Sequence, residues 1–140
     1  ATAPATLGGV RQLLRALRKG ESVGLLPDQV PPEGMGVWAP FFGRDAYTMT
    51  LAAKLARQTG CAMLAIWGRR LPKGAGWHVE VMPMPAPLPP ANTLPAHEAE
   101  AQRIDATAIN RSMEILIARA PSQYLWGYHR YKNPRRQESA

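Results

Sequence analysis

Three histidines, His78, His97 and His129, are the side chains of this sequence best suited to moving a proton near neutral pH. A histidine acting as general base needs a partner that orients its ring. None of the three is followed four residues later by Asp or Glu, so each reads as a structural or solvent-exposed residue. Asp28 and Gln29 form a second polar pair, placed between the short apolar run Ser22 to Leu26 and a loop holding Pro31, Pro32, Gly34 and Gly36. If that run is a strand, the pair lies beyond its carboxyl end, where ligands bind in α/β sheets. Asp28 is equally suited to a turn in which its carboxylate bonds its own backbone. Cys61 is the only cysteine, which excludes an internal disulfide and a cysteine-based zinc site and fits a reducing compartment. A phosphate-cradling glycine loop, a Gly-x-Ser-x-Gly elbow and a His-Glu-x-x-His helix are all missing from the sequence, so their chemistries lose their usual support. Asn110-Arg111-Ser112 fits a glycosylation sequon formally but lies within a helical pattern. No metal or cofactor is expected.

The elements that must position these residues follow from periodicity. Leu7, Val10, Leu14 and Leu17 recur at helical spacing from Thr6 to Lys19, with Thr6 as N-cap and Gly20 as the left-handed stop. Arg11, Arg15 and Arg18 make a basic stripe on the same helix. Asp45 is predicted to cap a helix running to Thr59, with Gly60 as its stop and Tyr47, Leu51 and Leu55 facing inward. Cys61 to Trp67 is continuously apolar, as a strand covered on both faces would be. Trp77 to Met82 alternates as a strand with one partly wet face. Six prolines between Pro83 and Pro95 exclude helix and central strand and predict an extended crossing over the surface, residues 83–95. His97 to Ala118 is helical again, with Ile109, Met113 and Leu116 on one face. The expected class is α/β, a mixed sheet with flanking helices and at least one antiparallel strand.

The 140 residues suit one domain or part of one, and 46% hydrophobic with 19% charged residues is a globular mixture. A formal net charge of +7 favours anionic partners. Apolar runs are too short to cross a bilayer, and the sequence begins at Ala1, entering a helical pattern almost at once, as a piece of a longer protein would.

Four segments in order carry a resemblance: Ala16 to Gln29 (ALRKGESVGLLPDQ), Ala39 to Gly43 (APFFG), Thr50 to Gly60 (TLAAKLARQTG) and Ser122 to Lys132 (SQYLWGYHRYK). Together they resemble the bacterial lipid A biosynthesis lauroyl/myristoyl acyltransferase family, of the lysophospholipid acyltransferase-like superfamily. The resemblance implies that residues 1–140 are the C-terminal portion of a single domain with a glycerolipid-acyltransferase-like fold. It implies transfer of a fatty acyl chain from acyl-carrier protein to a lipid A precursor, at the cytoplasmic face of the bacterial inner membrane. The family's His-x4-Asp/Glu motif and N-terminal anchor would lie before residue 1, so the catalytic base is expected outside this chain. Asp28 and Gln29 match its Asp-Gln block, implying support for substrate; Phe41, Phe42 and Gly43 match the aromatic-glycine block, implying the border of an acyl channel or core. Arg130 and Lys132 match the basic end of the Tyr-Leu-Trp block. Arg69, at the exit of the apolar Cys61 to Trp67 run, completes the expected substrate-binding set. The expected partners are acyl-carrier protein, the lipid A precursor and an anionic membrane surface, with no nucleic acid. Two other readings stand beside this one: another glycolipid acyltransferase, such as a mannoside acyltransferase, or a non-catalytic lipid- or RNA-binding module. The module reading rests on Tyr124, Trp126, Tyr128 and Tyr131 interleaved with Arg130, Lys132, Arg135 and Arg136.

Overall fold

The computed structural model describes residues 6–136. Thr6 starts helix α1 (Leu7–Arg18) by accepting the Gly9 amide on Oγ1 at 3.2 Å, which satisfies one of the donors a helix start leaves unpaired. Gly20 takes the left-handed turn beyond it. Val10, Leu14 and Leu17 are half-buried while Leu7 is exposed, so the inward stripe begins one turn later than its spacing predicts. Arg11, Arg15 and Arg18 face solvent.

The strand predicted over Ser22 to Leu26 is not formed. No described strand pairs with this segment, and a strand exists only where a neighbour takes its backbone hydrogen bonds. Leu25 instead packs on Ala52, Ala53 and Ile109.

The helix predicted from Asp45 is also corrected. Residues 36–49 form an antiparallel hairpin of β1 (Gly36–Phe41) and β2 (Arg44–Met49), with Phe41 opposite Arg44, and helix α2 (Leu51–Thr59) begins only after it. Phe42 and Gly43 sit at φ +47° and +76°, the paired positive values of a two-residue turn whose twist matches that of the strands. Tyr47 and Thr48 then favour the pleated surface, and Asp45 pairs with Arg103 at 3.6 Å instead of capping a helix. Gly36 is required at the start of β1: a Cβ there would lie 2.6 Å from the Thr48 carbonyl oxygen and 2.9 Å from the Tyr47 ring.

A second antiparallel ribbon joins β3 (Leu64–Arg70) and β4 (Trp77–Pro83). Strand β3 starts later than the apolar run from Cys61 and is covered on one face only. Ala65 is buried, whereas Leu64 and Ile66 on the opposite face are exposed. On β4 the wet face is the apolar one, carrying Trp77, Val79 and Val81. After Pro83 the chain crosses the surface with Met84, Ala86 and Leu88 turned inward. Ser112 holds the crossing, its Oγ donating to the Ala86 carbonyl and accepting its amide, both at 2.9 Å.

Helix α3 (Glu98–Ala118) packs across β1 and ties the molecule together. Phe41, Ala46 and Ile117 form one core cluster with Met113, Tyr124 and Tyr131, and Ala52, Ala53 and Ile109 form the other. Asp105 and Arg57 lock α3 to α2 through two hydrogen bonds of 2.6 and 2.5 Å, and Arg57 also donates to the Pro89 carbonyl at 3.0 Å. The fold is thus α/β with flanking helices, its strands divided between two antiparallel ribbons. Among the described residues, no helix is long and apolar enough to cross a membrane.

Candidate functional site

An open cleft of about 900 Å³ lies between the tip of the β3–β4 ribbon and the segment that follows α3. Arg69, Arg70 and Lys73 bring positive charge to it; Trp77, Leu71 and Leu125 bring apolar surface. Gln123 fixes the junction, accepting the Arg70 amide at 2.7 Å and donating to the Arg70 carbonyl at 3.2 Å. The Arg70 guanidinium lies 5.2 Å from the Trp77 ring centroid, an exposed cation–π contact. Cationic groups beside aromatic and aliphatic walls suit a ligand with phosphate and hydrocarbon parts.

Tyr124 lines this cleft and links it to Asp28, donating its hydroxyl proton to Oδ2 at 3.3 Å. Burial, then the negative charge of Asp28 and this hydrogen bond, push the Tyr124 phenol up to about 12. It therefore remains a neutral hydrogen-bond donor. Asp28 is half-buried in a turn, where the Val30 amide donates to the Tyr128 hydroxyl at 2.8 Å. A row of aromatic rings runs on from Tyr124 to Trp126 at 4.9 Å and from Trp126 to Phe42 at 5.9 Å between centroids. Asp28, Arg69 and Phe42 are thereby brought to one side of the molecule.

The other residues singled out from sequence lie elsewhere. Gln29 is exposed in the turn. Gly43 completes the hairpin turn, and Phe41 is 1% exposed in the core. Arg130 is 3% exposed: it donates to the Tyr47 carbonyl and to Thr48 Oγ1, each at 2.8 Å, and to Asn110 Oδ1 at 3.3 Å. Its guanidinium also lies 5.3 Å from the Phe41 ring centroid. Desolvation lowers its pKa from the ordinary arginine value, with the nearby Tyr124, Asp28 and Tyr128 opposing the shift. Arg130 thus ties β2 to helix α3 inside the molecule. Asn110 shares that task, donating to Thr48 Oγ1 and to the Pro40 carbonyl, both at 2.9 Å. Sequence reasoning missed Arg70, Lys73, Trp77 and Gln123 as cleft residues. Their signal was the pairing of the two strands that bracket residues 71–76, which brings Arg70 opposite Trp77.

His97 and His129 are exposed, and His78 Nε2 lies 2.8 Å from Glu80 Oε1 on the surface of β4. Glu80 is held below the usual carboxylate range by Arg119 and then by His78. Neither member of this pair lines the cleft. Among the described residues, no group of three or more His, Cys, Asp or Glu could hold a metal ion.

The family model for bacterial lipid A biosynthesis acyltransferases matches residues 4–133. The chain is 32% identical over 124 residues to a lipid A biosynthesis lauroyltransferase of Escherichia coli strain K12, covering 88% of this chain and 38% of that protein. A lipid A biosynthesis palmitoleoyltransferase of the same strain and a lipid A biosynthesis acyltransferase of Shigella flexneri are each 32% identical over 124 residues, covering 88% of this chain and 37% of theirs. The chain therefore spans well under half the length of these relatives. With the family model running through both ribbons, all three helices and the Asp28–Tyr124 cleft wall, this chain belongs to the bacterial lipid A biosynthesis acyltransferase family.

Proposed function

We propose that this chain supplies the acceptor-holding part of an enzyme that transfers a fatty acyl group from acyl-carrier protein to a hydroxyl of a lipid A precursor, at the cytoplasmic face of a bacterial inner membrane. Family membership over residues 4–133 is the observation that carries the reading. The cleft agrees with it chemically: Arg69, Arg70 and Lys73 provide counter-charge for a phosphorylated sugar, and Trp77 and Leu125 provide surface for its hydrocarbon. Asp28 acts through Tyr124: by accepting its hydroxyl hydrogen bond it holds the phenol neutral and fixes the ring that lines the cleft. Phe42, Trp126 and Tyr124 form an aromatic border that fits an acyl chain.

Acyl transfer to a hydroxyl requires a base to take the acceptor proton. In the family's motif that base is a histidine with an acid residue beyond it, and no histidine of these 140 residues has that spacing. The chain's own part is to bind and orient the acceptor.

A nucleic-acid-binding module is less well supported by the aromatic residues that motivated it. The hydroxyl of Tyr124 is bonded to Asp28, that of Tyr128 accepts the Val30 amide, and that of Tyr131 donates to the Phe41 carbonyl at 2.9 Å. Lys132 and Arg44 lie over the Tyr128 and Tyr131 rings, and Trp126, 56% exposed, is the ring of the four that faces solvent. Calorimetric titration with a phosphorylated, acylated glucosamine disaccharide tests the proposal. Binding that weakens at least tenfold in Arg70→Gln/Lys73→Gln is expected, and equal affinity for the dephosphorylated compound would refute it.

A further inference from the structure

The β3–β4 ribbon presents an apolar face to solvent. Leu64, Ile66, Trp77, Val79 and Val81 are between 58% and 70% exposed, with Ile66 directly opposite Val81. Between Leu64 and Gly68 on one strand and Val79 and Pro83 on the other, this face carries no charge. The opposite face is already engaged: Ala65 is buried, and Arg119 stacks over Trp67 at 4.1 Å while pairing with Glu80 at 2.8 Å. A strand apolar on both sides is one built to be covered on both sides.

The edge of the ribbon points the same way. β3 has β4 as its only strand neighbour among the described residues, and Gln123 caps its other edge at Arg70 alone. An open edge asks for another strand, which lipid cannot supply because it offers no matching backbone groups. The unpaired segment from Ser22 to Leu26 has the same need: its Leu25 packs on the cluster that also receives Met63, the residue before β3, while Leu26 is 65% exposed. The curated relatives contain a majority of sequence with no counterpart in this chain.

We propose that the exposed face and free edge of the β3–β4 ribbon are the seat of the acyltransferase segment that this chain does not span. That segment lays at least one strand beside β3 and covers Leu64, Ile66, Val79 and Val81, whether it is supplied in the same polypeptide or in another. The inference rests on family membership and not on the catalytic reading, and its test reads binding instead of turnover.

The experiment mixes this chain with a separately produced polypeptide comprising the part of the Escherichia coli lauroyltransferase that this chain does not match. Light scattering after size exclusion is expected to give a one-to-one complex, with hydrogen exchange slowed at the amides of Leu64 to Gly68. The double variant Ile66→Glu/Val81→Glu is expected to weaken the complex at least tenfold while keeping the thermal midpoint of the chain alone, since both side chains are exposed there. A homodimer lost in the same variant would assign the face to a second copy and overturn the proposal. So would capture of the wild-type chain, but not the variant, by anionic vesicles in preference to the polypeptide, or absence of any complex. A complex without acyl transfer would leave this proposal standing and count against the catalytic one.

Discussion

Replacing Asn110 by alanine tests the buried polar network between helix α3 and the β1–β2 hairpin. Asn110 is 1% exposed; its amide donates to the Pro40 carbonyl and to Thr48 Oγ1, and its oxygen accepts from Arg130. The substitution leaves the Pro40 carbonyl without that donor, while Thr48 keeps the bond from Arg130 and Arg130 keeps Thr48 and the Tyr47 carbonyl. Orphaning the partly buried Pro40 carbonyl costs about 1–3 kcal/mol, and two weakened bonds in a polar network add about 1 kcal/mol. The residual cavity adds a smaller increment. The expected loss is about 3 kcal/mol, or roughly 10 °C in the midpoint for a domain of this size. Urea unfolding should show a lower midpoint with an unchanged slope. Arg111→Ala is the control: its side chain is 64% exposed and pairs with Glu114 three residues on, and it should change stability by less than about 0.5 kcal/mol. A loss below about 1 kcal/mol for Asn110→Ala would mean that water or repacking replaces the network and that Arg130 does not depend on it.

Other outcomes follow from the same contacts. Asp105→Ala should cost about 2–3 kcal/mol in urea unfolding, because Asp105 is 5% exposed and its loss leaves Arg57 with only the Pro89 carbonyl among these partners. Gly36→Ala should cost about 1–3 kcal/mol by the same measurement, since its Cβ meets backbone at Thr48. The Tyr124 phenol is raised to about 12, so the folded state holds that proton more tightly than the unfolded chain. The corresponding stability is fully present below the ordinary tyrosine range and is lost as pH rises towards 12. Ultraviolet titration should show one late-ionising tyrosine that disappears in Tyr124→Phe and ionises earlier in Asp28→Asn.

The helices were legible because each carries its own punctuation. Thr6 and Gly20 bracket α1, Gly60 ends α2, and Pro121 follows α3. The β1–β2 hairpin was not, because its turn is Phe42-Gly43 and not the usual Asn-Gly or Asp-Gly, and Asp45 mimics a helix cap. Ser22 to Leu26 and Cys61 to Trp67 have strand composition, but composition states what a segment can pair with and not whether the neighbour is present. Arg69 lines the cleft at the exit of the apolar run that marks it in the sequence, whereas Asp28 does not line it and the strand expected before Asp28 is not formed. The link through Tyr124 spans 96 positions, and no local pattern encodes a contact of that range. Arg130 was expected among the substrate-binding residues of a basic cluster, yet it is buried, with Tyr47, Thr48 and Asn110 giving its guanidinium acceptors.

The proposed role is tested most directly by measuring fatty acyl transfer from acyl-carrier protein to a phosphorylated, acylated glucosamine disaccharide, in a protein that joins these residues to the rest of the family fold. Asp28→Ala should lower turnover by about tenfold or more with unchanged thermal melting, because misplacing a substrate-positioning wall costs rate on that scale. Asp28→Ala with wild-type turnover would contradict the account, reducing Asp28 and Tyr124 to a turn and its packing.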